Sequence, residues 1–468
     1  MSDASQTYDV LVIGAGPAGY VCAIRAAQLG QRAAVVDREW LGGVCLNVGC
    51  VPSKALLRNA EVIHTVRHRG KDFGFETQGL TFDYAAAVKR SRQASARLVK
   101  GVEFLMRKNK IDVHLGTARL TAPGQVELTA ADGKTSRLAA RNIVVATGAR
   151  PVMIPGATAD GRTVLTYREA IVQESLPGSA VIVGAGPIGL EFATIWNSYG
   201  TNVTMVEMLP RLAPLEDEEV SAELAKAFSK LGIQMRTGAR VEAIEKAGER
   251  VKVSLSAGEK REALEADQVL VAIGFRPASE NLGLEALGVQ MEKGRVVVDE
   301  RMATNIPGVW AIGDVTGKLM LAHVGSAMGI VCAENIAGQP TVTLDYEMMP
   351  RAIYSQPQVA SFGLTEAQAK ARGLEVKVGR FPFQANGKAL GLGDYAGWVK
   401  IIAEARYGEI LGAHMIGPEV TELLPELTLA QKMELTAEEI ARNVHAHPTL
   451  SEVLMEAAHG LAGGYIHI

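Results

Sequence analysis

The chain has 468 residues, 48% of them hydrophobic and 21% charged, and its formal net charge is −3. That length exceeds one ordinary core and predicts three or four domains of a globular protein. The nearly balanced charge leaves no footprint for nucleic acid or an anionic membrane as the main partner, and no run of about 18 apolar residues is present to cross a bilayer. Residues 1–8 are polar and lack the features of a signal or transit peptide, so a cytoplasmic location is expected.

From the N-terminus, residues 8–13 read as a strand, 14–19 as a glycine turn, 20–29 as a helix stopped by Gly30, and 32–37 as a second strand, a βαβ unit. A long helical stretch occupies 82–109. The βαβ pattern then returns as strand 179–183, turn 184–189, helix 190–199 and strand 202–207. VIGAGPAGY aligns with IVGAGPIGL, so Gly14, Gly16 and Gly19 recur as Gly184, Gly186 and Gly189. A second echo links IVVATGARP at 143–151 with VLVAIGFRP at 269–277, and two copies of one nucleotide-binding module follow. Residues 321–338 predict another helix. From about Tyr346 the pattern changes to strand-like segments at 351–362, 376–383 and 398–403, with helix-like ones at 365–372, 422–433 and 452–461. That mixture predicts an α+β C-terminal domain without a dinucleotide motif.

A Gly-x-Gly-x-x-Gly turn carries weight only in context. Its first glycine permits the tight turn, its second lets backbone approach a pyrophosphate, and its third allows close helix–strand packing. The helix N-terminus behind it offers free N–H groups to phosphates. Here each copy is also followed by an acid ending the second strand: Asp37 lies 23 residues after Gly14, and Glu207 lies 23 after Gly184. Such carboxylates accept hydrogen bonds from ribose hydroxyls. Glu207 would repel a 2′-phosphate, which favours NAD over NADP. Arg211 argues the other way, but as a single charge after Pro210 it reads as a solvated surface residue.

Segment 304–314, TNIPGVWAIGD, reads as a turn, a short apolar strand and an acid, Asp314, able to bond a ribityl hydroxyl; the alternative is an ordinary strand and polar turn. It resembles the second FAD motif of flavoprotein reductases.

The four cysteines are Cys22, Cys45, Cys50 and Cys332. They are too few for a disulfide framework. Cys45 and Cys50 sit close together in LGGVCLNVGCVPSKALL, without the second pair that a structural zinc site would use, so no metal is expected. Pro52 suits an early helical position, and a thiolate near a helix N-terminus is stabilised. Cys22 and Cys332 fall in predicted helices without partners and read as small core residues.

This segment is similar to the active-site segment of class I pyridine nucleotide-disulfide oxidoreductases, and its GCVPSK form is most similar to the branch that oxidises dihydrolipoamide. The likeness runs through essentially the whole chain. It implies an α/β fold with two Rossmann-like domains, one for FAD and one for NAD, and a C-terminal α+β dimerisation domain. The expected boundaries are 1–149 for the FAD domain with its redox pair, 150–276 for the NAD domain, 277–346 for a central domain completing the FAD site, and 347–468 for dimerisation. Cys50 would face the flavin as the charge-transfer thiolate, and Cys45 would be the interchange sulfur. The FAD set would be Gly14, Gly16, Gly19, Asp37, Lys54, Gly116, Thr147, Gly148, Asp314, Met320, Ala322 and His323. The NAD set would be Gly184, Gly186, Gly189, Glu191, Glu207, Val241 and Gly274, with Glu191 also pairing Lys54.

Near the C-terminus, HAHPTLSE spans 445–452. Thiol–disulfide exchange needs a thiolate; a histidine takes that proton near neutral pH, and a carboxylate on its other nitrogen fixes the tautomer. The segment matches the family pattern HxHPTxxE, which implies His447 as base and Glu452 as its orienter, with His445 structural. The resemblance also implies a homodimer in which the histidine serves the opposite subunit, and a lipoyl domain of a 2-oxo acid dehydrogenase or glycine-cleavage complex as partner. A glutathione-reductase-like enzyme normally has basic residues where Glu207 stands. A mercuric reductase adds a C-terminal cysteine pair, and the soluble transhydrogenases lack the pair found here. A subunit that merely anchors a complex is a further alternative, set against by the complete redox set. Two departures are noted: Val324-Gly325-Ser326 after Ala322-His323, and Phe275 where arginine is common.

Overall fold

The computed structural model describes residues 7–468, which divide into two compact units. The first gathers the chain up to Ala55, then Val88–Val152 and Gly274–Tyr346. Its sheet runs Asp112–Leu115, Ala33–Asp37, Tyr8–Ile13, Thr135–Val145, Gln125–Thr129, Thr117–Ala122, with Val309–Ala311 also pairing Thr135–Val145. The strands around Tyr8–Ile13 are parallel, with Val12 opposite Val35 and Val144. That strand is buried on both faces, which is why it reads as an unbroken apolar run.

The helix after the first turn spans Pro17–Gln28 and so begins three residues earlier than expected. Gly16 is its N-cap and Pro17 its first residue, where the missing N–H costs nothing. Its buried face is small: Ala18, Gly19, Cys22, Ala23 and Ala26. The helix Ala322–Ile336 packs there so closely that a Cβ on Gly329 would lie 2.6 Å from Ala18 O. The expectation that Cys22 and Cys332 lack partners is corrected. Both are fully buried in this seam, and burial, then a hydrogen bond with Cys22, raises the Cys332 thiol well above its ordinary range. Buried and protonated, they remain core residues.

The second unit gathers Leu56–Ala87, Met153–Ile273 and Glu347–Ile468. It contains a five-stranded parallel sheet in the order Gln234–Thr237, Asn202–Glu207, Ser179–Val183, Gln268–Val271, Val164–Leu165, and an antiparallel meander, Arg240–Ala247, Arg250–Ala257, Lys260–Ala266. A second, antiparallel five-stranded sheet runs Arg351–Ile353, Gln358–Gly363, Ile410–Gly417, Trp398–Glu404, Val376–Pro382. The single strand expected at 351–362 is thus two, folded back on each other with Ile353 opposite Val359. Pro357, in the bend between them, lacks the N–H that would have continued a ladder. Helix Glu452–Ala462 lies on this sheet, its Ala457 and Ala458 buried with Phe381, Val399 and Ile401 in one core.

Among the described residues, no helix is long and apolar enough to cross a membrane, and no cluster of three or more His, Cys, Asp or Glu side chains is arranged to hold a metal.

A Cβ on Gly379 would lie 2.0 Å from Ala457 O, which lets the helix sit down on the strand. Gly379→Ala should therefore cost about 2 kcal/mol or more in denaturant unfolding. Gly391→Ala, where a Cβ meets nothing within 4 Å, should be neutral or mildly stabilising.

Candidate active site

The redox segment is two consecutive helices with a one-residue break between them. Cys45 lies in Gly43–Val48, Gly49 breaks the chain, and Cys50 opens Cys50–His68. Pro52 falls in the first turn, and the Ser53 hydroxyl donates to Cys50 O at 3.0 Å. Asn47 binds the segment together: its amide donates to Leu41 O and Gly43 O, both at 2.9 Å, while Arg92 donates to Asn47 O. Cys45 and Cys50 are half-buried thiols in hydrogen-bond contact, not joined by a disulfide. That hydrogen bond, and then burial, hold the Cys45 thiol far above its ordinary range, with the Lys54 ammonium opposing. Tyr20 faces the same pair: burial, then the charges of Cys45 and Cys50, raise its phenol. Sequence reasoning missed Asn47, Arg92 and Tyr20. Only Asn47, lying between the cysteines, offered a local signal.

The redox segment is built onto the first glycine turn. Gly42 donates to Ala15 O at 2.9 Å, and a Cβ on Gly43 would lie 2.6 Å from Gly16 Cα. Within the turn, a Cβ on Gly14 would meet Ala146 O at 2.2 Å and one on Gly19 would meet Gly14 O at 1.8 Å. At Gly16, by contrast, a Cβ would meet nothing within 4 Å, so the space before the helix N-terminus is open. Asp37 accepts from Ala15 N at 2.7 Å with one oxygen and from Glu39 N at 2.8 Å with the other.

The second turn repeats this geometry in the second unit. A Cβ on Gly184 would meet Ala272 O at 2.4 Å, one on Gly189 would meet Gly184 O at 2.0 Å, and one on Gly186 would meet nothing within 4 Å. Glu207 accepts from Ala185 N at 2.7 Å and from Leu209 N at 2.9 Å. Arg211 is not a solvated surface residue: it is two-thirds buried and pairs with Glu218 at 2.6 Å.

His447 Nδ1 lies 2.8 Å from Glu452 Oε1, and the other carboxylate oxygen accepts from Thr449 N at 2.7 Å. Burial opposes ionisation of Glu452, yet the Thr449 N–H and the imidazole hold its carboxyl below the usual range. The His447 side chain is 78% exposed, whereas that of His445 is 4% exposed with its nitrogens on Asn443 O and Glu426. Of the two histidines, only His447 is open to a substrate.

Residues 8–329 match the model of the pyridine nucleotide-disulphide oxidoreductase family, and residues 349–458 match the dimerisation domain of that family. The chain belongs to the pyridine nucleotide-disulphide oxidoreductases. Its curated relatives include dihydrolipoyl dehydrogenases from Mycobacterium leprae, 52% identical over 98% of this chain and 99% of the relative, and from Corynebacterium glutamicum, 48% identical over 99% and 100%. Among solved structures it resembles LpdA from Mycobacterium tuberculosis, with a TM-score of 0.90 and 28% identity over 97% of this chain and 99% of that one.

Members of this family work with FAD and NAD, and so does this protein. The two open glycine turns fit the two pyrophosphates. The other expected FAD residues lie in the first unit. Gly116 donates its N–H to Asp37 O at 2.9 Å; Thr147 donates to Ala278 O at 2.7 Å; Ala278 N reaches Gly148 O at 2.9 Å. Met320 precedes the helix that Ala322 and His323 open, and Lys54 lies one turn beyond Cys50. In the second unit Glu191 is buried and accepts from Tyr354 N at 3.1 Å, and Val241 lies at a bulge of the meander. Gly274, expected with the NAD set, falls in the first unit, where its carbonyl accepts from Val152 N at 3.0 Å.

Asp314 gives the sharpest test of fit. It lies in the turn Gly313–Thr316, its carboxylate has no hydrogen-bond partner among the described residues, and burial raises it to about 6. A hydroxyl donor from a bound ligand would satisfy it. Because the folded value exceeds the unfolded one, Asp314 favours folding when protonated, and that contribution is lost as pH rises through about 6. In FAD-free protein, Asp314→Asn should therefore raise stability at pH 8 by about 2 kcal/mol, with the gain shrinking below pH 5. With FAD present the order should reverse, as measured by thermal unfolding.

Proposed function

We propose that the protein is a dihydrolipoyl dehydrogenase: it oxidises a dihydrolipoyl group to its cyclic disulfide and reduces NAD+ to NADH. Near-full-length identity to relatives of that name supports the substrate. The observation that carries the chemistry is the Cys45–Cys50 contact, built onto a dinucleotide-binding turn. We assign FAD binding to 1–149 with 277–346, NAD binding to 150–276, and dimerisation to 347–468.

In this reading the working unit is a homodimer, and His447 of the partner subunit faces the cysteine pair. The imidazole, oriented by Glu452, takes a proton from the first substrate thiol. The resulting thiolate attacks Cys45 Sγ of the oxidised pair, breaking the disulfide and releasing Cys50 as a thiolate. The imidazolium gives its proton to solvent, and the freed imidazole then deprotonates the second substrate thiol, whose thiolate displaces Cys45 and closes the substrate's ring. Cys45 takes up the proton, which suits a thiol whose proton affinity is raised by Cys50 and by burial. FAD, when bound, supplies the two-electron chemistry that carries reducing equivalents to NAD+. Lys54 lies near the flavin and pairs with Glu191. The FAD set (Gly14, Gly16, Gly19, Asp37, Gly116, Thr147, Gly148, Asp314, Met320, Ala322, His323) and the NAD set (Gly184, Gly186, Gly189, Glu207, Val241, Gly274) hold the two dinucleotides. The electron donor is the lipoyl domain of a 2-oxo acid dehydrogenase or glycine-cleavage complex, in the cytoplasm. Glu207 sets this reading against a glutathione-reductase-like one, since a carboxylate there disfavours a 2′-phosphate. The cysteine pair sets it against a transhydrogenase.

The test is NADH formation from dihydrolipoamide. Cys45→Ser should lower it by about 10³-fold or more, and His447→Gln by about 10²- to 10⁴-fold. NADH-driven reduction of an artificial dye should survive in both variants. Retention of dihydrolipoamide oxidation in Cys45→Ser would overturn the assignment.

A further inference from the structure

A cluster of buried charge lies outside the redox pair, the glycine turns and the His447–Glu452 couple. Lys400, in strand Trp398–Glu404, has a side chain only 1% exposed, and its Nζ lies 2.8 Å from Asp217 Oδ1. Glu219 and Glu366 approach the same ammonium at 3.7 and 3.8 Å. Next to Asp217, the buried Glu216 accepts from Arg351 Nε at 3.2 Å and from the Ser361 hydroxyl. Lysine is almost never fully buried unless paired. A buried ion pair also adds little stability over apolar packing of the same volume, whereas removing one partner strands a charge. Such a pair enforces one arrangement of the segments it joins.

Here it joins the C-terminal sheet to the loop that follows Glu207. Residues 208–216 run from that carboxylate to the cluster. Along the way Ala213 N donates to Ala185 O in the glycine turn at 2.9 Å, and Gly238 N donates to Leu209 O at 2.9 Å. Arg211 closes the loop on itself through Glu218 at 2.6 Å and Pro214 O at 3.1 Å. Asp217 then caps helix Glu218–Lys230, accepting from Glu219 N at 3.1 Å. One end of the loop is therefore held by the glycine turn, and the other by side chains of the sheet that matches the dimerisation domain.

We propose that Lys400 and Arg351 are positioning residues for the NAD site, fixing through Asp217 and Glu216 the loop that begins at Glu207. The proposal rests on the reading of Glu207 as the ribose-binding carboxylate. Nucleotide affinity is thereby set partly by the C-terminal domain, while the redox segment lies outside this linkage.

The test uses FAD-loaded enzyme as wild type, Lys400→Met and Lys400→Met/Asp217→Asn. ADP-ribose binding is measured by calorimetry, and reduction by dihydrolipoamide without NAD+ by anaerobic stopped flow. Lys400→Met should weaken ADP-ribose binding about tenfold and raise KM for NAD+ in parallel. Reduction by dihydrolipoamide should stay within about twofold of wild type, since Lys400 pairs with Asp217, Glu219 and Glu366, none of them in the redox segment. The double variant should recover most of the lost affinity, because the asparagine side chain introduced by Asp217→Asn still caps the helix and no charge is stranded. Arg351→Gln, which removes only the Glu216 partner, should weaken binding about threefold and serves if Lys400→Met does not fold. Unchanged ADP-ribose affinity in the variant that folds, or equal loss of both readouts, would overturn the proposal. A wild-type enzyme that dihydrolipoamide fails to reduce would instead sink the proposed activity, leaving the ADP-ribose comparison intact.

Discussion

The hydrogen bond between Cys45 and Cys50 is the contact around which the first unit is arranged. The two thiols lie five positions apart, more than one turn of a regular helix, and Gly49 interrupts the helical run between them. The segment needs further restraint, because a short helix of six residues is not stable alone. Asn47 and Arg92 restrain it from within and from the side, and Gly42 and Gly43 seat it on the turn at Ala15–Gly16. Redox sulfurs and dinucleotide turn are consequently one rigid piece of backbone.

The two nucleotide modules show how one local solution serves two cofactors. In both, the residue after the first glycine gives its N–H to the acid ending the second strand, at 2.7 Å, and its carbonyl accepts from a following loop, at 2.9 Å. The loops differ in what they carry. After Asp37 the loop leads into the redox helices; after Glu207 it leads into a buried ionic anchor on the C-terminal sheet. Similar turns are thereby committed to different tasks by the next ten residues.

What was legible in the sequence was local. The spacing from Gly14 to Asp37 and from Gly184 to Glu207 determines a turn and a strand end, which form as read, while each helix starts three residues earlier, at the proline inside the turn. The pairing of His447 with Glu452 was implied by the family pattern HxHPTxxE, and the two side chains, five residues apart, do meet across one bend. Other features depend on partners far along the chain. Cys22 meets Cys332 because two helices with small faces pack backbone to backbone, and neither helix names its neighbour. Lys400 pairs with Asp217 from 183 residues away, and nothing around either residue marks the pairing. The strand-like stretch 351–362 divides into two strands at Pro357, although its apolar, β-rich flanks read as continuous.

Electron transfer through one specific pair of sulfurs is the central claim, and differential thiol labelling tests it most directly. Oxidised enzyme, unfolded and alkylated, should carry label at Cys22 and Cys332 only. Enzyme held anaerobically with excess dihydrolipoamide and no NAD+ should gain label at Cys45 and Cys50 together, and excess NAD+ with the dithiol removed should erase it. Label at Cys45 or Cys50 that ignores both reagents, or a change confined to one of them, would contradict the account.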